Sequence, residues 1–222
     1  MENYFSIDHI FFEILNYPLS YIEFWGVLTG LIAVYLSSIE NVWSWVIGLI
    51  NVVLFFILFY QVQLYPDMML QVFYFITNCI GFFLWKFPKK EEENYNKELK
   101  ISRSSNRSII IYTSISILAT LLLGKFSSHL HEWFPKLFSL PSAFPYIDSF
   151  TTVLSIYATF LLMKKKLEAW IVWLIVDIIL SIVYLLKDIK LVSIEYIIFC
   201  VIAAYGFYHW VKTYRKEIKI SE

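Results

Sequence analysis

The chain has 222 residues, 59% of them hydrophobic and 16% charged, with a mean hydropathy of +0.64. Soluble domains carry about 25% charged residues. A chain this apolar has too little polar surface to face water, which excludes a soluble globular domain and points to an integral membrane protein. Net charge is zero, so the total gives no sign of a nucleic-acid partner and the distribution of charge carries the information.

In chain order, residues 1–20 form an N-terminal surface segment. Within it 5–16 (FSIDHIFFEILN) is too short to cross a bilayer and reads as an amphipathic helix lying on the surface. No basic residue precedes Lys86, so no leader of the basic-then-apolar kind is expected. A membrane helix needs roughly 20 mainly apolar residues. Residues 21–38, 43–60 and 67–85 give three spans, and 108–124 a fourth. Residues 148–163, 168–186 and 191–211 give the fifth to seventh. The loop 86–107 is highly charged and mixed in sign, and reads as a solvated connector. The loop 125–147 holds His129, His131 and Trp133 without a third metal ligand nearby, and reads as a surface loop with a short interfacial helix. Residues 212–222 form a polar tail. Cys79 and Cys200 lie inside apolar runs and read as small buried residues.

Seven spans place the termini on opposite sides. The segments on the N-terminal side hold four Lys and Arg, and those on the other side fourteen. The positive-inside rule then puts the N-terminus outside and the C-terminus in the cytoplasm.

The chain also repeats itself. Trp45, Gly81 and Trp85 recur 125 positions later as Trp170, Gly206 and Trp210, Glu23 as the acidic Asp148, and Ala33 as Ala158. Residues 21–85 and 148–211 are thus read as two three-helix repeats. The segment 86–147 between them holds the charged loop, the linker helix and an external loop. The linker span restores the orientation of the second triplet, which makes the expected fold an all-α 3+1+3 parallel repeat.

Polar groups without partners are costly in hydrocarbon, so intramembrane polar residues face the bundle interior or a wet cavity. Gln71, Tyr74 and Asn78 share one face of span three at i, i+3, i+7. Trp170, Trp173 and Asp177 repeat that spacing in span six, and Ser181 and Tyr184 extend the stripe. Gly48, Asn51 and Phe55 share a face of span two, and Thr152, Ser155 and Thr159 one of span five. The Thr/Ser stripe reads as packing. Trp85 and Trp210, at span ends, read as interfacial anchors, as does Trp43. Glu195 sits about one turn into span seven, within reach of Lys187 or Lys190. Asp177 lies halfway along its span with no Lys or Arg in any span core. It must be protonated, face water or meet a cationic ligand. Rings, amides and a carboxylate suit a flat, polar, cationic organic molecule. No nucleotide-binding glycine loop, no nucleophile with a paired histidine and no His-Glu-x-x-His occurs, so neither an enzyme nor a cofactor is expected.

The run Trp45…Phe55-x-x-x-Phe59-Tyr60…Leu64-Tyr65-x-Asp67-x-x-Leu70-Gln71-x-x-Tyr74…Gly81…Trp85 resembles the first half of PnuC-type nicotinamide riboside transporters. Asp148-Ser-Phe150-Thr-Thr-Val-Leu154-Ser-Ile-x-Ala158-Thr and Leu167-Glu-Ala-Trp170-x-x-Trp173 resemble the second. The resemblance runs over residues 20–211. It implies a SWEET-like 3+1+3 bundle, a homotrimer in the bacterial inner membrane, and facilitated diffusion of a vitamin precursor that is trapped by phosphorylation inside the cell. The family's second half usually has Asn before the first Trp of W-x-x-W and at the position of Asp177; here Ala169 and Asp177 stand there. Lys190 and Glu195 also replace residues expected to be less polar.

The resulting expectation is a passive importer of nicotinamide riboside with a central site between the two bundles, whose rocking alternates access. Gln71 and Asn78 would bond the ribose or carboxamide. Tyr74, Trp173 and Trp45 would stack on the ring, with Trp170 and Tyr184 beside them. Asn51 and Asp177 would make pseudo-equivalent polar contacts. Thiamine or another vitamin or nucleoside, and proton coupling through Asp177, are the rival readings.

Overall fold

The computed structural model describes residues 5–14, 17–62, 65–134, 144–186 and 189–221, leaving aside the side chains of residues 65–67 and 221. The chain divides into two compact units, Met1–Ile101 with Tyr205–Glu222, and Ser102–Ala204.

The first unit opens on a hairpin of β1 (Ile10–Ile14) and β2 (Tyr17–Ser20), paired antiparallel with Phe12 opposite Leu19 and Ile14 opposite Tyr17. The helix expected over 5–16 is therefore corrected: 10–14 form an extended strand, 5–9 are irregular, and 15–16 lie outside the described residues. Ile10, Phe11, Phe12 and Ile14 are β-branched or aromatic and favour a pleated surface, and β2 supplies the ladder partner that helical periodicity ignores. Gln61 ties the segment down: its amide nitrogen donates to the Phe5 carbonyl at 2.6 Å, and its oxygen accepts from Ile7 N–H at 3.1 Å. Ser20 then caps α1 (Tyr21–Ser38) in a capping box with Glu23.

The Glu23 carboxylate also accepts from the Tyr17 hydroxyl at 2.6 Å. Burial, then this bond and the carboxylate's charge, push the Tyr17 pKa up to about 12. A raised phenol pKa stabilises the fold fully below the unfolded value near 10, and the contribution is lost as pH rises through about 12. The hairpin is therefore expected to loosen between those pH values, and Tyr17→Phe to remove that step. Tyrosinate absorbance followed during an alkaline titration checks it.

Helix α2 (Trp43–Gln61) packs between α1 and α3 (Tyr65–Lys86). The charged loop after α3 is exposed over most of its length, as a solvated connector is, but it is also ordered. It makes a 3-10 turn at Lys90–Glu92 and an antiparallel bridge from Glu93 to Leu99, and it buries Leu99 and Ile101. Helix α8 (Lys190–Ser221) supplies the other side of this contact, because residues 212–221 continue the helix where a tail was expected. Glu217 accepts from Asn94 Nδ2 at 2.8 Å and from Ile101 N–H at 3.2 Å. The loop folds because it carries two apolar residues and α8 brings a carboxylate to one backbone N–H and one side-chain amide of the loop. Glu217→Ala is expected to speed tryptic cleavage after Lys97 and Lys100 about fivefold, the equivalent of about 1 kcal/mol for a half-exposed charged acceptor. Timed digestion of both proteins checks it.

The second unit is built on α4 (Asn106–Ser128), the short α5 (Leu130–Trp133), α6 (Pro145–Met163), α7 (Glu168–Leu186) and the first half of α8. Helix α6 packs against both α4 and α7. Ser116, Thr120 and Gly124 are the buried residues of α4. Their i, i+4, i+8 spacing makes one small-residue seam that lets helices approach closely. Thr152 and Thr159 bond the carbonyls of Asp148 and Ser155 in their own helix, so the span-five stripe is packing. His129 stacks on Trp133 with centroids 5.7 Å apart, within the short interfacial helix expected there.

Seven helices among the described residues are long and apolar enough to cross a membrane. An offset of 125 carries α2 onto α7 residue for residue and the start of α3 onto the start of α8. The connections match as well: Glu40 between α1 and α2 and Lys165 between α6 and α7, also 125 apart, both take positive φ values of 63° and 44°. A left-handed residue at a helix C-terminus frees the chain to turn sharply.

Candidate functional site

In the first unit, Trp45, Gly48, Asn78 and Gly81 come together where α2 meets α3. The Trp45 ring lies flat on Gly81: a Cβ there would sit 2.6 Å from three ring carbons. It meets the Trp85 ring edge to face, with centroids 5.4 Å apart and an interplanar angle of 88°. Trp45 is 4% exposed, so its ring is occupied by packing, which corrects the expectation that it stacks on a solute. Its indole N–H has no hydrogen-bond partner among the described residues.

Trp85 and Trp210 are buried too, which corrects their reading as interfacial anchors. Their rings meet at 5.9 Å, and Trp210 Nε1 donates to the Ser37 carbonyl in the last turn of α1 at 3.2 Å. The same carbonyl accepts from Glu40 N–H at 3.0 Å, and its second lone pair, which no i+4 donor of α1 uses, gives the indole a partner inside the protein. Trp43, at 59% exposure, is placed as an anchor should be.

The amides divide. Asn51 turns toward α1, donating to the Gly26 carbonyl at 2.7 Å and Thr29 Oγ1 at 3.4 Å. Asn78 donates to the Tyr74 carbonyl one turn back, at 2.8 Å, and its oxygen lies against Gly48. Gln71 lines an open groove of about 240 Å³ with Val52, Val53, Phe56, Val72 and Phe75, where it is the polar lining residue. Tyr74 is half-buried on the same helix face.

In the second unit, Trp170 is 1% and Asp177 5% exposed, with Trp173 half-buried between them on α7. Asp177 makes no hydrogen bond or ion pair among the described residues. Tyr184 stacks on Tyr196 of α8 at 5.5 Å and 8°, and Ser193 Oγ donates to the Ser181 carbonyl at 2.8 Å. Glu195 is half-buried and forms no ion pair with Lys190 among the described residues; Lys187 lies outside them. Asn51 and Asp177 are not repeat equivalents, since the 125 offset pairs Asp177 with Val52 and neighbouring positions on a helix point about 100° apart. Tyr196 was missed by the sequence reading, although the same offset relates it to Gln71.

Seven apolar helices carrying half-buried amides, a buried carboxylate and aromatic rings define a multi-pass membrane protein of the kind that handles polar solutes. The family model described as "Nicotinamide mononucleotide transporter" matches residues 20–212, and the chain belongs to this family of membrane transporters. It is similar to the nicotinamide riboside transporter PnuC of Escherichia coli (strain K12), with 31% identity and 97% of each chain covered. It is also similar to the protein of that name from Neisseria mucosa, at 25% identity, with 90% of this chain and 75% of the relative covered. A crystal structure of the vitamin B3 transporter PnuC has the same fold, with a TM-score of 0.68 at 23% identity over 89% of this chain and 83% of that one.

Proposed function

We propose that the chain carries nicotinamide riboside across the membrane by facilitated diffusion. The family description names a mononucleotide, whereas the relatives matched over nearly their whole length are named for the riboside. The residues favour the riboside. The mononucleotide adds a phosphate, which needs Lys, Arg or a helix N-terminus to hold it. The interiors of α1, α2, α3, α6 and α7 hold no Lys or Arg, and α7 buries Asp177. The riboside keeps the pyridinium charge and drops the phosphate, and that charge matches a carboxylate. This complementarity is the observation that carries the proposal.

On this reading Asp177 faces the pyridinium, Trp173 and Tyr74 offer ring faces, and Gln71 and the Asn78 oxygen bond the carboxamide or ribose. Asn51, Trp45, Trp170 and Tyr184 hold those groups in place. We also read the two helix triplets as repeats, on the matching helix bounds and left-handed connections. The Lys/Arg asymmetry supports an N-terminus outside and a C-terminus in the cytoplasm of a bacterial inner membrane. A homotrimer follows from the family resemblance alone.

The test is uptake of labelled nicotinamide riboside into proteoliposomes. Accumulation to equilibrium, indifferent to a pH gradient and uncompeted by the mononucleotide, is the expected result. Stronger competition by the mononucleotide or thiamine would replace the substrate, and dependence on a pH gradient would replace the mechanism.

A further inference from the structure

The C-terminal half of α8 carries a charged face that solute binding does not use. Tyr208, Lys212, Arg215 and Lys219 fall at i, i+4, i+7 and i+11, so they line one side of the helix, and all four are exposed. With His209 and Lys216 they border an open groove of about 800 Å³ that has no acidic lining residue. The single acid between 205 and 221 is Glu217, and its carboxylate is held by Asn94 and the Ile101 backbone. Glu40 Oε1 lies 3.6 Å from His209 Nε2, and Lys216 sits over the Tyr95 ring, whereas Lys212, Arg215 and Lys219 make no ion pair among the described residues.

Position decides what this face meets. Lys212 is the first basic residue after the apolar run of α8. From there to Lys219 the helix rises about 10 Å, enough to cross a headgroup layer of roughly 5–7 Å. Tyr208 stands one turn earlier, where an aromatic ring with a polar tip suits the edge of the hydrocarbon. We propose that this face binds the headgroup phosphate of an anionic phospholipid, with Lys212 and Arg215 on the phosphate oxygens and Lys219 at the outer edge of the headgroup layer. Arg215 offers the bidentate fork that phosphate oxygens fit, and the apolar run above it accommodates the acyl chains.

The test uses the full-length protein in detergent micelles and counts retained lipid by native mass spectrometry. Phosphatidylglycerol is the probe, phosphatidylcholine the neutral control and inorganic phosphate the free-anion control. Wild type should retain phosphatidylglycerol over phosphatidylcholine, less so as salt rises. Each of Lys212→Gln, Arg215→Gln and Lys219→Gln should weaken retention about fivefold, and the triple variant roughly a hundredfold, at an unchanged melting temperature. Should the triple variant fail to fold, the single variants and the salt series decide. Equal retention by wild type and variants, salt-insensitive retention, or displacement of the lipid by millimolar phosphate would each overturn the proposal.

Discussion

Asp177→Asn is expected to weaken binding of nicotinamide riboside by about tenfold to a hundredfold while leaving its uncharged dihydro form within about twofold. A hydrogen bond or contact to a charged partner is worth about 1.5–3 kcal/mol, which converts to that range. The side chain is 5% exposed and makes no hydrogen bond or ion pair among the described residues, with Cys200 of α8 the group its charge reaches. Its neighbours on α7 are apolar: Val176 is fully buried, and Ile178 and Ile175 are the exposed residues on either side. A carboxylate so placed gains most from a cation and little from a neutral solute. Asparagine keeps the shape and removes the charge, so the fold should be spared. The measurement is competitive inhibition of labelled riboside uptake by each form. Equal losses for the charged and uncharged solutes would mean that Asp177 acts through shape or water and not through charge.

Gly81→Leu is expected to be among the most damaging single changes in the first unit, lowering stability by about 3 kcal/mol or more. Even a methyl group at Gly81 would sit 2.6 Å from the Trp45 ring. That ring cannot retreat freely, because Trp85 packs against it and Trp85 in turn meets Trp210. Overpacking of this kind costs about 1–3 kcal/mol, more for a larger group. Gly81→Ala gains back about 1 kcal/mol of helix propensity and should lose less. Trp45→Ala removes the obstructing ring, so the double variant Trp45→Ala/Gly81→Leu should be more stable than the sum of its single effects predicts, with a coupling of about 1–3 kcal/mol. Thermal melts of the four proteins in one detergent measure it, and strict additivity would mean that the two side chains do not compete for one space. Gly48→Ala meets the Asn78 side chain instead. A flexible amide can move aside, so this change should act on solute binding more than on stability.

The chain alone was enough to read the seven spans, the two longer loops that set them out as three, one and three, and the helix faces that carry the polar residues. Hydrophobicity sums over neighbouring residues, and a helix converts spacing directly into a shared face, so both are local properties. Matched residues 125 apart were legible too, but the left-handed Glu40 and Lys165 at the matching connections were not. What each side chain meets was not legible. The same indole at the end of a span reads as an anchor whether it is Trp43, which is exposed, or Trp210, which bonds Ser37 across 173 positions. Asn51 reads as a solute contact until the Gly26 carbonyl is brought beside it. Nothing in the charged loop 86–107 shows that Glu217 ties it down from the far end of the chain, and 5–16 reads as helix until β2 pairs with Ile10–Ile14. Each of these turned on a partner distant in sequence or on a second strand. Such a pairing leaves no mark in local composition or periodicity, and only the tertiary structure brings the two groups within bonding distance.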